Sequence, residues 1–372
     1  MRPLALTVIV GTRPEVIKLA PVVRAARKRP RSFRIRLVLT GQHPELAAPL
    51  MEELELQADV ELTLGSRRGG LAQTLAECVR SIGGMLHEDR SDWVVVQGDT
   101  TTALAGALSA FYEHIPVAHV EAGLRSGCRT SPFPEEMHRR LTGTLAALHL
   151  APTPQARRNL LELGVPESSI VVTGNTVIDA LFEMRRCLPT LQSIMPKMPT
   201  SRYVLATIHR RENHGERLQQ VCDGLLQLLE RNLDLSLLVP IHPNPEVGRV
   251  ISARLTGHPR IVLVEPMGYA TFVAALVDAT IVLTDSGGVQ EECAALGKPV
   301  LVLRTDTERH EAVAAGVALL IGTSPDRIVE ATSWLLTDPL AYRAMQRPTN
   351  AFGDGFAAGR VLDAIERATA TS

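Results

Sequence analysis

Apolar residues along the chain fall into short, nearly unbroken runs of strand length, each followed by a turn and then a helical pattern. Leu4–Val10 is the first such run, followed by Gly11-Thr12-Arg13-Pro14-Glu15 and a helical stretch to about Lys28. Arg34–Leu39 is the next strand. Trp93–Gln97 precedes Gly98-Asp99-Thr100 and the alanine-rich helix Thr101–Glu113, and Pro116–Val120 runs up to Glu121. Short β-rich runs alternating with helices of 10–15 residues predict a parallel sheet covered on both faces. The right-handed crossover rule makes that sheet doubly wound.

The alternation breaks between about Met184 and Ser201, a stretch holding Pro189, Pro196 and Pro199. It resumes with Tyr203–Thr207, Ser236–Pro240, Arg260–Glu265, Thr280–Thr284 and Pro299–Leu303, and the tail Ala357–Thr369 is helical. The prediction is an α/β protein of two Rossmann-like doubly wound lobes with a central cleft. Residues 1–180 form the N-terminal lobe, completed by a C-terminal helix at 356–372, and residues 181–355 form the C-terminal lobe. A length of 372 residues agrees with two domains.

Composition narrows the functional classes. Lys+Arg is 39 against Asp+Glu 40, so no global basic field recruits nucleic acid or an anionic membrane, and 3% aromatic residues leave little for base stacking. Five cysteines without a CxxC pair argue against a disulfide framework and a zinc ribbon. The N-terminal apolar run lacks the features of a signal peptide, and no segment reaches the ~18 apolar residues of a membrane span. A cytoplasmic location is expected. Metal-ligand spacings, a GxSxG elbow and a GxGxxG after a strand are all absent, so neither a metal nor a nicotinamide cofactor is expected. Only Lys18, Lys28, Lys197 and Lys298 are lysines, a skew mostly of codon usage.

In open α/β sheets ligands bind beyond the carboxyl ends of the strands. After the first strand, Thr12 suits a cap, Pro14 the first turn, and Arg13 an anion at a helix N-terminus. Asp99 after Trp93–Gln97 reads either as a cap or as a functional acid. Glu121 ends a buried strand, a costly place for a carboxylate unless it is paired or functional. Glu135 and Glu136 follow a proline-stiffened turn, and at least one of them is expected at a solvated helix start. In the second half, His209-Arg210-Arg211-Glu212-Asn213 and His242 follow strands. Asp285-Ser286-Gly287-Gly288 opens a helix whose N-terminus suits a phosphate, with Glu292 one turn further on and Arg309 after the next strand. Phosphate-friendly helix starts and a set of carboxylates together suggest a sugar nucleotide.

Seven segments in one order resemble the bacterial non-hydrolysing UDP-N-acetylglucosamine 2-epimerases. They are Gly11–Glu15 with Lys18, Gly98–Thr102, His119–Arg125, Pro134–Glu136, Gly174–Thr176, His209–Asn213 and Asp285–Glu292, and the likeness spans about Thr7 to Gly355. The resemblance implies two Rossmann-like lobes of the glycosyltransferase-B kind and interconversion of UDP-GlcNAc and UDP-ManNAc. UDP is eliminated to give 2-acetamidoglucal and then added back. It implies no cofactor, and a homodimer. By matching position, Asp99, Glu121 and Glu135 are acid/base candidates, His209 lies by the leaving group, and Lys18 tunes charge near Asp99 and the sugar. Arg13, Ser286, Gly287, Gly288 and Arg309 are expected to hold diphosphate, Glu292 the ribose and Phe272 the uracil.

Family members are often activated by a second UDP-GlcNAc, and the matching positions are Gln42, Glu45, Arg68, Glu135, Arg210 and His242. Glu45 stands where glutamine is common, and its charge beside a diphosphate weakens that expectation. His138, His310 and Cys293-Ala294-Ala295 also depart from the family pattern, leaving a modified UDP-sugar open as substrate. Three other readings stay open: a hydrolysing epimerase releasing ManNAc and UDP, a UDP-sugar glycosyltransferase, and a non-catalytic nucleotide sensor.

Overall fold

The structure is a computed structural model, and it describes residues 2–42, 44–64, 70–187, 197–210, 213, 215–241 and 244–371. By internal contacts the chain divides into two compact units, one formed by Met1–Ala180 and Gly353–Ser372, the other by Leu181–Phe352.

The first unit holds strands β1 (Leu4–Val10), β2 (Phe33–Leu39), β3 (Val60–Glu61), β4 (Trp93–Gln97), β5 (Val117–Val120), β6 (Leu148–Ala151) and β7 (Ile170–Val172). They alternate with helices α1 (Arg13–Arg27), α2 (Pro44–Glu53), α3 (Gly70–Glu88), α4 (Thr101–Tyr112), α5 (Glu135–Leu145) and α6 (Pro154–Glu162), and α7 (Thr176–Arg186) begins in this unit and runs into the second. The sheet order is β3-β2-β1-β4-β5-β6-β7, with parallel pairing throughout. In α3, Cys78, Ile82 and Leu86 recur at helical spacing and are the buried stripe that meets Val94, Val96 and α4.

The second unit repeats the plan with β8 (Arg202–Thr207), β9 (Leu235–Pro240), β10 (Ile261–Val264), β11 (Ile281–Thr284), β12 (Val300–Val302) and β13 (Ala318–Leu320). Their order is β10-β9-β8-β11-β12-β13, again all parallel. Leu237, Val239, Leu283 and Leu301 of this sheet are buried with Leu225, Leu228 and Leu229 of the helix Glu216–Arg231. In each unit the strand order reverses beside its first strand, between β1 and β4 and between β8 and β11. Such switch points open the crevice where doubly wound sheets take ligands. Among the described residues no helix is long and apolar enough to cross a membrane.

The terminal helix Ala357–Thr371 packs on α1 of the first unit. Its first amides, Ala357 N and Ala358 N, donate to the buried carboxylate of Asp179 on α7 at 3.1 and 2.8 Å. Asp179→Ala leaves those amides without this acceptor. The expected loss is about 1–2 kcal/mol, the upper range for a helix cap, read as a lower urea midpoint with unchanged native circular dichroism. An unchanged midpoint would show that the cap contributes nothing.

Candidate active site

In the first unit the carboxyl ends of β1, β4 and β5 carry most of the charged groups singled out from the sequence. Glu121 follows β5 with φ 63°, a left-handed backbone that non-glycine residues adopt at a cost and that is enriched at functional positions. Its Oε2 accepts from Lys18 Nζ, on α1, and from Gln97 Nε2, the last residue of β4. Asp99, just beyond β4, is held by Arg139 of α5, whose Nε lies 3.1 Å from Asp99 Oδ2 and whose second guanidinium nitrogen is closer. The partner of Lys18 is therefore Glu121, and Asp99 takes Arg139.

The cap of α4 is Thr100, whose hydroxyl accepts from Ala103 N at 2.9 Å. Asp99 is not that cap. The same Thr100 hydroxyl donates to Glu15 Oε1 at 2.5 Å, and Glu15 Oε2 accepts from Gly11 N and Thr12 N at 3.0 and 2.8 Å. This buried carboxyl thus ties the starts of α1 and α4 together. Burial raises it to about 7, against the hydrogen bonds from Thr100, Thr12 and Gly11 that lower it. Gly11 has no room for a side chain, because a Cβ would stand 2.2 Å from Thr102 Oγ1 and 2.3 Å from Thr40 Oγ1. Arg13 is the first residue of α1 and is partly exposed.

Glu135 and Glu136 differ. Glu136 is not a solvated helix start, whereas Glu135 opens α5 and is partly exposed. Glu136 is fully buried and accepts from Arg139, Arg140 and the amide of Ser126. Burial pushes its carboxyl up, but Arg140, Ser126 and Arg139 hold it below the usual range. The two arginines stand one helical turn away on α5, which draws the acid inward. Glu135 opens α5 partly buried, and its buried Oε2 has no hydrogen-bond partner among the described residues.

Of the proposed activator positions, Gln42 accepts at the start of α4: its Oε1 takes Thr102 N at 3.1 Å and Thr102 Oγ1 at 2.6 Å. Glu45 is exposed in the first turn of α2, where an acid complements the helix dipole. Arg68 and His242 lie outside the described residues, as do Arg211 and Glu212.

The second unit gathers its groups at the ends of β8, β11 and β12. Asp285 is fully buried and accepts from His209 N, Arg210 N and Asn213 Nδ2, each within 2.9–3.1 Å. His209 Nε2 is 3.8 Å from Asp285 Oδ1. Desolvation and the cations Arg210 and Arg304 lower this imidazole, with Asp285 opposing them. Ser286 stands at the N-cap position of the helix Gly287–Leu296 without a side-chain capping hydrogen bond, and a Cβ on Gly288 would meet nothing within 4 Å, so a ligand can approach the backbone there. Inside that helix Glu292 is buried and accepts from Tyr269 Oη at 3.0 Å. Phe272 is partly buried on the helix Tyr269–Asp278. Arg309 is buried, with its Nε 2.5 Å from Glu291 Oε1.

Several participants escape sequence reasoning. Gln97 and Arg139, which hold Glu121 and Asp99, carry only faint signals: a polar residue closing an apolar strand, and an arginine three residues beyond Glu136. Glu15, Glu291 and Glu308 leave none beyond their neighbourhood.

Two buried histidines lie under this edge. His119 Nε2 is 2.7 Å from Gly98 O, so that nitrogen carries the proton. Burial lowers His119 to about 3 and its β6 neighbour His149 to about 4. Both are neutral when folded and charged when unfolded, so the unfolded chain binds more protons as pH falls below 6.5. Stability is then lost on acidification, at about 1.4 kcal/mol per pH unit for each histidine. Urea midpoints are expected to fall from pH 7 to pH 5, and His119→Gln with His149→Gln should flatten that slope. An equal slope in the double variant would contradict the assignment.

The family model described as UDP-N-acetylglucosamine 2-epimerase matches residues 24–366. UDP-N-acetylglucosamine 2-epimerase of Escherichia coli K12 is 41% identical over 367 residues, covering 96% of this chain and 97% of the relative. Among solved structures, UDP-GlcNAc 2-epimerase from Neisseria meningitidis bound to UDP-GlcNAc superposes with a TM-score of 0.94 at 39% identity, covering 98% of this chain and 99% of the other. The S. aureus MnaA–UDP co-structure gives 0.90 at 36% identity, covering 99% of this chain and 98% of that one.

Proposed function

The chain belongs to the UDP-N-acetylglucosamine 2-epimerase family, and we propose that it interconverts UDP-GlcNAc and UDP-ManNAc by eliminating UDP to 2-acetamidoglucal and adding it back. The observation that carries this reading is the trio of carboxyl groups at one sheet edge. Asp99 and Glu121 are each paired with a cation, while Glu135 keeps a buried oxygen without a hydrogen-bond partner among the described residues.

The proton at carbon 2 of the sugar has no adjacent carbonyl to acidify it, so its removal needs departure of UDP from carbon 1. A base takes that proton and a cationic, amide-rich surface stabilises the diphosphate as it leaves. Asp99, Glu121 and Glu135 supply the acid and base groups, with Lys18 neutralising Glu121. His209 serves the leaving group. Arg13, Ser286, Gly287, Gly288 and Arg309 bind diphosphate, Glu292 binds ribose, and Phe272 packs on uracil. Re-addition with a proton delivered to the opposite face completes the inversion.

The test follows the sugar by NMR after incubation with UDP-GlcNAc in deuterated water. UDP-ManNAc carrying deuterium at carbon 2 is expected. Free ManNAc as the main product would favour the hydrolysing reaction instead, and exchange that requires an acceptor sugar would favour a transferase. Asp99→Asn and Glu121→Gln should each slow turnover by at least about two orders of magnitude, the scale of a lost general acid or base; near-normal rates in both would remove the assignment. Glu45 adds a negative charge at a proposed activator position, and Gln42 is engaged with α4, so we propose that a second UDP-GlcNAc does not activate this chain. The rate should rise hyperbolically with UDP-GlcNAc, and marked sigmoidicity would count against that view.

A further inference from the structure

The segment after β12 carries a buried acid to which neither the sugar nor the nucleotide reading gives a task. Glu308 is 6% exposed, and three guanidinium groups converge on it. Arg304 donates to its Oε2 at 2.8 Å, Arg210 donates to its Oε1 at 3.1 Å, and Arg309 Nη1 lies 3.4 Å from that same Oε1. Burial pushes this carboxyl up, but Arg309, Arg210 and Arg304 prevail and keep it well below the usual carboxylate range. Glu308 is therefore an anion across the working pH range.

The position of Arg309 is unusual in electrostatic terms. A Cβ built on Gly287 would stand 3.1 Å from Arg309 Cζ, so the guanidinium lies against the first turn of the helix Gly287–Leu296. That end of a helix carries partial positive charge and disfavours a cation. Glu291 holds Arg309 through Nε at 2.5 Å from within the helix, and Glu308 holds it from the β12 side. Arg210, Arg304 and Arg309 thus gather with Glu291 and Glu308 beside the first turn of that helix. That combination suits a phosphate dianion.

We infer that Glu308 is a positioning residue that fixes the Arg309 and Arg210 guanidinium groups in the orientation that receives the diphosphate. The inference rests on the UDP-binding role proposed above. Without the shared carboxylate the two guanidinium groups repel, and Arg309 loses the hold of Glu308. The effect then falls on phosphate affinity and not on proton transfer, because Glu308 touches none of the proposed acid/base groups.

Isothermal titration of the full chain with UDP, pyrophosphate and uridine, alongside steady-state kinetics, tests this. Glu308→Gln keeps the shape and removes the charge. Its Kd for UDP and for pyrophosphate, and its KM, are expected to rise about tenfold, with kcat changed less and uridine binding unaltered. Glu308→Asp, which restores the charge on a shorter stem, should recover part of the loss. A purely structural role predicts fewer binding-competent molecules with an unchanged Kd for UDP, and that result would overturn the inference. So would equal losses for uridine and UDP. A wild-type chain that binds neither UDP nor pyrophosphate would overturn the nucleotide reading itself and the inference with it, and is told apart by failing before any substitution is made.

Discussion

A carboxylate at the end of a buried parallel strand must be met by a cation or by several hydrogen-bond donors, and this requirement shapes both units. Glu121 is met by Lys18 and Gln97, Asp99 by Arg139, and Glu136 by Arg139 and Arg140. In the second unit Asp285 is met by two backbone amides and an asparagine, and Glu308 by arginines. Removing one partner of a buried pair typically costs about 3–5 kcal/mol, whereas well-packed apolar residues in place of the whole pair are often no worse. Stability alone therefore does not account for so many buried charges at these edges. Under the activity proposed above, chemistry at the strand ends does.

The two units apply one architecture to different tasks. Each sheet reverses its strand order beside its first strand, and each collects polar groups at the carboxyl ends on either side of that reversal. The first unit fills the position with carboxyl groups and their counter-ions, which suits proton movement. The second fills it with helix amides, a histidine and guanidinium groups, which suits a departing anion.

Much of this was legible in the amino-acid order. β1 and β4 are apolar runs buried on both faces, and such runs mark themselves. β3, β7 and β13 are only two or three residues long, too short for a pattern, and their identity comes from pairing with a neighbour. The acids at strand ends stood out because a charge closing an apolar run is conspicuous. Their partners did not, since Arg139 and Glu308 acquire meaning only when distant segments meet. Glu136 misled for a related reason. Beside Glu135 after two prolines it reads as a helix start in water, and only the arginines on its own helix, turned inward, explain its burial. Of the four lysines, Lys18 is the one drawn into a buried ion pair.

The terminal helix has a consequence for how the chain is made. Leu362 and Ile365 are buried, and the amides bound by Asp179 belong to Ala357 and Ala358. None of these exists until the whole of the second unit has been synthesised. The second unit is continuous in sequence, so all its residues emerge before the first unit receives its last helix. Domains usually fold in the order of their synthesis, yet here the unit that starts first is the one that finishes last. Until that helix emerges, the segment bearing Asp99, Glu121 and Glu135 has to wait with one flank of α1 still uncovered.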